Sequence, residues 1–134
     1  MKYQELRIGN FLHNGSDVVC VEAISPTYKQ AIDISNVDGL SSSSCFVSLP
    51  IADLKPVPLT GEWLLRFGFV QNKSIGVGND IFSGYEMEGF IIDKDFDPII
   101  STNEGCFGFS NPVKYVHQLQ NLVFALTGKE LELI

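Results

Sequence analysis

Over the first fifty positions the apolar residues come in short runs, LRIGNFL, VVCVEAI, YKQAIDI and CFVSL, separated by polar and turn-forming residues. In YKQAIDI they alternate. Tyr28, Gln30, Ile32 and Ile34 fall on one side of an extended chain and Lys29, Ala31 and Asp33 on the other, the period of a half-buried strand. Asn14-Gly15 between the first two runs is a hairpin signal, because both central residues of a type I′ turn need positive φ. The serine run Ser41 to Ser44 reads as a loop. Strands so short and so closely spaced predict a small twisted sheet or an SH3-like barrel.

The pattern changes at KPVPL, where Pro56 and Pro58 stand just ahead of TGEWLLRFG, residues 60–68. Thr60 can accept a backbone N–H as an N-cap, Glu62 complements the positive end of a helix, and Gly68 suits the left-handed residue after the last turn. A two-turn helix is predicted, with Trp63, Leu64 and Phe67 as its apolar face. From Phe69 to Phe109 strand patterns return as FGFVQ, DIFSGYEMEGFIIDKD, DPIIS and GCFGF, punctuated by glycines. An antiparallel meander is the simplest arrangement. Phe69, Phe82, Phe90, Phe96, Phe107 and Phe109 would supply its core face.

The last element is a helix, with Asn111 as N-cap, Pro112 at the first helical position and Gly128 after the last turn. At 3.6 residues per turn, Tyr115, Val116, Leu119, Leu122, Val123 and Leu126 share one face, and Val113, His117, Gln120 and Phe124 extend it at one edge. The resulting arc of about 200° is wider than an ordinary surface helix needs, so the helix either packs on two sides or presents a partner surface. KELELI at the end alternates like a final short strand.

These elements make an α+β protein, mostly antiparallel β, with a short central helix and a longer C-terminal one. A chain of 134 residues with 45% hydrophobic composition forms a core without disulfides or metals, so residues 1–134 are expected to form a single structural unit. Its lobes would be 1–56, all β, and 57–134, α+β. Cys20, Cys45 and Cys106 are odd in number and lie in apolar segments, as reduced thiols do. No apolar run approaches the roughly 20 residues of a membrane helix, and MKYQELRIGN has no signal-peptide core. A cytoplasmic protein with no membrane partner is the expectation. Sixteen acidic residues against nine basic ones, with no basic cluster, disfavour nucleic acid as a partner.

LRIGN near the start, KPVPLTGEWLLRFGF in the middle and YVHQLQNLVFALTGKEL at the end together give a pattern that resembles a family of small proteins from Bacteroides-type bacteria and their phages and mobile elements. The resemblance brings no activity with it. Gly61 departs from it, standing where a good helix-former would be expected and weakening the first helical turn.

The strongest chemical motif is DKDFDPIISTNE, which puts oxygen side chains of Asp93, Asp95, Asp97, Ser101 and Glu104 at calcium-loop spacing. Pro98 occupies the place where glycine makes the sharp turn, and strand patterns flank the loop, so an acidic hairpin connection is the better reading. His and Cys residues form no close ligand pair, which argues against zinc. Pairing Cys106 or Cys45 with His117 as nucleophile and base has no local support. Gly76-Val-Gly78 lacks the lysine and the strand-to-helix setting of a phosphate loop. Glu86 and Glu88 read as a solvated pair, and Tyr85, Phe90, Phe107 and Phe109 as core rather than as a base-stacking platform.

No catalytic residue, metal ligand or cofactor is therefore assigned. The expected role is that of a non-enzymatic interaction or accessory protein of a phage or mobile element, acting through a protein partner or self-association. Its surface would be the edge formed by Val113, His117, Gln120 and Phe124. The alternatives are a small-molecule-binding protein or small enzyme with a pocket between the lobes near Trp63 and His117, and an acidic DNA mimic aligning Glu86, Glu88, Asp93, Asp95 and Asp97.

Overall fold

The computed structural model describes residues 1–25, 30–36, 47–77, 80–102, 105–108 and 111–134. Packing divides the chain into two compact units, Met1–Pro58 with Tyr115–Glu130, and Leu59–Lys114 with Leu131–Ile134. They are not sequential halves, because the C-terminal helix belongs with the N-terminal strands. Among the described residues no helix is long and apolar enough to cross a membrane.

The first unit holds β1 (Phe11–His13), β2 (Val18–Ser25), β3 (Gln30–Asn36), β4 (Val47–Pro50) and β5 (Lys55–Pro56), with single 3-10 turns at Tyr3–Glu5 and Ile51–Asp53. All pairings are antiparallel, in the order β4-β3-β2-β1-β5. No ladder among the described residues joins β4 to β5, and the SH3-like barrel that short strands suggested is not shown. Leu6, Leu12, Val19, Val21, Ile51 and Leu54 form its core, with Ile24 and Leu49 packed against them.

The first hairpin forms, but not through a two-residue turn. His13 pairs with Val18, and the Asn14 side-chain oxygen accepts the N–H groups of Ser16 (2.9 Å) and Asp17 (2.8 Å). Asn14 organises a longer turn with its own side chain, an alternative to positive φ open to this residue. LRIGNFL is likewise not one strand. The Arg7–Asn10 turn interrupts it, with Gly9 at φ 91°.

The second unit holds α1 (Gly61–Arg66) and the predicted meander, β6 (Val70–Val77), β7 (Asp80–Met87), β8 (Phe90–Asp93), β9 (Pro98–Thr102) and β10 (Gly105–Gly108), in the spatial order β10-β9-β8-β7-β6. Thr60 caps α1 through the Trp63 N–H at 3.4 Å, and Trp63, Leu64 and Phe67 are buried as predicted. Gly61 has a tertiary reason: a Cβ there would collide with the Tyr85 hydroxyl, so the helix gives up propensity for a close approach to that ring. Phe69 and Phe90 are buried, whereas Phe96 sits half-buried in the β8–β9 turn at φ 63°.

Two elements differ from expectation. The C-terminal helix α2 spans Val116–Thr127, starting later than Asn111-Pro112 implied. Residues 113–115 are extended because their backbone bonds go elsewhere: the Val113 N–H donates to the Phe96 carbonyl, the Lys114 carbonyl accepts from Leu59, and Tyr115 bridges Pro58. The Val116 N–H then donates to the Val57 carbonyl. The Gln118 side-chain oxygen accepts the Tyr115 N–H at 3.3 Å, the Gln118 N–H donates to the Tyr115 carbonyl at 3.1 Å, and Gly128 closes the helix at φ 71° with its N–H on the Phe124 carbonyl. KELELI forms no strand. Leu131 is buried, and the Ile134 N–H donates to the Arg66 carbonyl. Expectations about Tyr28, Lys29, Ser41–Ser44, Cys45, Gly78, Glu104 and Phe109, and about the side-chain faces of β3, Phe82, Ser101, Cys106 and Phe107, fall outside the described residues.

Candidate functional site

Helix α2 turns Val116, His117, Leu119, Gln120 and Val123 inward, an arc of about 160° that includes two polar side chains. Gln120 is 1% exposed and acts as a length of substitute strand. Its oxygen accepts the Phe11 N–H and its amide donates to the Gly9 carbonyl, both at 2.9 Å. Next to it, Asn121 donates to the Glu5 carbonyl (2.7 Å) and accepts from the side-chain amide of Asn10 (2.9 Å). Asn10, fully buried, in turn accepts the Arg7 N–H at 2.7 Å. LRIGN and HQLQN are thus locked together across more than a hundred residues of sequence, each buried amide satisfied on both ends.

Arg7 completes this clamp on the outside. Its guanidinium lies 3.7 Å over the Phe124 ring, pairs with Glu130 and donates to Asn121 at 3.4 Å. Of the four side chains expected to form a partner edge, His117 and Gln120 are buried in this unit, Val113 is buried in the other, and Phe124 is 37% exposed. Phe124 is the exposed member of the four. Helical periodicity groups residues by angle, but it cannot tell an inward polar clamp from an outward face.

His117 differs from its neighbours. It is 1% exposed, and neither ring nitrogen has a hydrogen-bond partner. Its ring stacks on Tyr115 with centroids 5.9 Å apart, and it lines an open cavity of about 460 Å³ with Glu5, Arg7 and Asn121 among its walls. Burial holds the imidazole below its ordinary value near 6.5, against the opposing pull of the Glu5 carboxylate. At neutral pH the ring is uncharged, with one donor and one acceptor.

The acidic turn joins β8 to β9. Asp93 accepts the N–H groups of Asp95 (2.8 Å) and Asp97 (3.0 Å), and the carboxylates of Asp93, Asp95 and Asp97 come within 4.8 Å of one another. The frame is strand-turn-strand, as the flanking strand patterns implied. Glu86 accepts from Asn72 at 3.2 Å, and Glu88 lies in the β7–β8 turn, at the opposite end of β8 from the aspartates. Of the five carboxylates a DNA mimic would align, Glu88 precedes β8, Asp93, Asp95 and Asp97 lie at its far end, and Glu86 sits on β7 paired with Ile91. Burial, with Glu22 beside it, pushes the Cys20 thiol up to about 11, which keeps it protonated and a poor nucleophile. No family model, curated protein or solved structure matches the chain.

Proposed function

We propose that this protein is a non-enzymatic interaction protein acting through protein contacts made by the outer rim of α2. The observation that supports it is the Arg7–Phe124 stack, an exposed aromatic ring carrying a guanidinium whose other contacts hold it in place. Aromatic and arginine side chains that are already ordered lose little freedom on binding, which is why such pairs recur as anchors of interfaces. Leu126 at 47% exposure and Ile8 at 60% add apolar area in the same unit. A net charge of -7 makes self-association work against repulsion and favours a partner with a basic surface. The resemblance carried by LRIGN, WLLRFGF and VHQLQNL brings no activity and is the ground only for naming a phage or mobile element as the setting.

The test is affinity purification of the tagged protein from its host beside a Phe124→Asp, Leu126→Asp variant whose fold is confirmed by circular dichroism. A basic partner held by the wild type and lost by the variant is expected. A partner retained by the variant, or no partner at all, overturns the assignment.

A further inference from the structure

The register of β6 against β7 shifts between Asn72 and Ile75. Ile75 pairs with Phe82 toward the tip of that hairpin, whereas Ile91 pairs with Glu86 toward its base, yet Ile75 and Ile91 are each 4% exposed and pack in one cluster with Ile99 against them. A bulge bends the strand that carries it, and here the bend brings the tip of the hairpin back over the face that bears Glu86 and Ile91. This bent face holds a groove of about 580 Å³. Its apolar part is Val70, Ile75, Met87 and Ile91, the carboxylates of Glu86 and Glu88 stand toward the β7–β8 turn, and no basic residue lines it.

A simple anion would meet two carboxylates, and a purely apolar side chain would bury them without a partner. A lysine or arginine answers both halves of the groove, because its stem covers apolar surface while its head stays with the charge. An ionised carboxylate offers about four acceptor positions, and the 3.2 Å bond from Asn72 to Glu86 takes one of them.

We propose that this groove seats a lysine or arginine side chain carried by an extended segment of a protein partner, its stem on Ile75 and Ile91 and its cationic head at Glu86 and Glu88. The inference rests on the reading of this chain as a protein-binding one but not on the α2 rim, since the groove's residues all belong to the second unit.

The experiment selects displayed random heptapeptides on the full chain, then resynthesises the enriched ones and titrates them by NMR. The enriched peptides are expected to carry Lys or Arg beside an apolar residue, to bind with a Kd below about 100 μM, and to move the amide signals of Val70, Gly76 and residues 86–91. Glu86→Gln and Glu88→Gln should each weaken binding about fivefold or more, and Val70→Lys should abolish it by placing a cation in the groove. Val70 is 63% exposed, so the lysine is tolerated by the fold. Asp95→Asn makes the same change of charge outside the groove, and it and the Phe124→Asp, Leu126→Asp variant should each leave binding within about twofold. No enriched peptide, enrichment without Lys or Arg, binding unchanged by Val70→Lys, or a loss in Asp95→Asn or in the rim variant as large as in Glu86→Gln would each overturn the proposal.

Discussion

The two units solve the same problem, fixing strands in register, by different chemistry. In the first, the buried polar side chains Asn10, His117 and Gln120 sit among apolar ones, and two of them join segments more than a hundred residues apart. In the second, consecutive strands pair through short connections, and its buried large side chains, such as Trp63, Leu64, Phe69, Phe90 and Ile92, are apolar. A meander obtains its register from its turns, so its core can be non-directional. Docking a helix on a distant turn has no such guide, and hydrogen bonds to particular backbone groups supply the direction.

That contrast predicts where each unit is weakest. Trp63→Ala should be the most damaging single change, costing about 3–5 kcal/mol, because the ring is 9% exposed and packs between Phe67 (centroids 5.9 Å apart) and the Arg66 guanidinium (4.5 Å from the ring centroid). Chemical denaturation read by hydrogen exchange in β6–β9 checks it. A loss below about 1 kcal/mol would mean that packing is not what holds this unit. In the first unit the matching change is Gln120→Leu, which roughly keeps side-chain volume but removes the acceptor bonded to the Phe11 N–H and the donor bonded to the Gly9 carbonyl. Its expected cost is about 2–4 kcal/mol, with protection lost at Phe11 first. A neutral Gln120→Leu would remove the distinction between the units.

Much of this was legible beforehand where the determinants are local. The Thr60 cap, the Trp63-Leu64-Phe67 face, Gly128 at the end of α2 and the meander all follow from spacing over a few residues. What escaped was long-range. Asn111-Pro112 is a sound helix start in isolation, but residues 113–115 bond to segments far away in sequence and stay extended. Gln120 and His117 read as one edge of an apolar arc, and nothing in their spacing says that one is bonded on both ends and the other on neither. The one hint of the clamp was compositional: Asn10, Gln120 and Asn121 all fall within the blocks LRIGN and YVHQLQNL.

His117 sharpens the comparison from inside the clamp, since it is as buried as Gln120 but unbonded. With its pKa below the unfolded value near 6.5, the folded ring stays neutral while the unfolded chain takes up a proton. Stability should therefore decline as pH falls below about 6.5 and level off once pH passes the folded pKa, with no contribution from this group above that window. His117→Phe should flatten the decline and leave stability at pH 8 unchanged or raised, where Gln120→Leu lowers it. Denaturation midpoints across about pH 5–8 decide it, and an unaltered slope in the variant would show that the ring is not held neutral by burial.

The smallest effect tests the second unit's reliance on turns. Met87 pairs with Phe90 across a two-residue connection in which Glu88 has φ 45° and Gly89 φ 89°, the left-handed pair of a type I′ turn. Asn-Gly is the preferred sequence for that geometry, and here the chain places it at 14–15, where the turn is of another kind, and uses Glu-Gly where the geometry demands it. A glutamate has a Cβ and no short side-chain oxygen to stabilise the left-handed region, so Glu88 holds local strain that Asn would relieve. Glu88→Asn is expected to stabilise the protein by about 0.5–1 kcal/mol, seen as a raised denaturation midpoint with an unchanged slope. Asn14→Glu should do the reverse for a different reason, removing the oxygen that accepts the Ser16 and Asp17 N–H groups rather than altering φ. If both substitutions moved stability in the same direction, register in the meander would owe little to its turns, and the division of labour between the two units would fail at its local end.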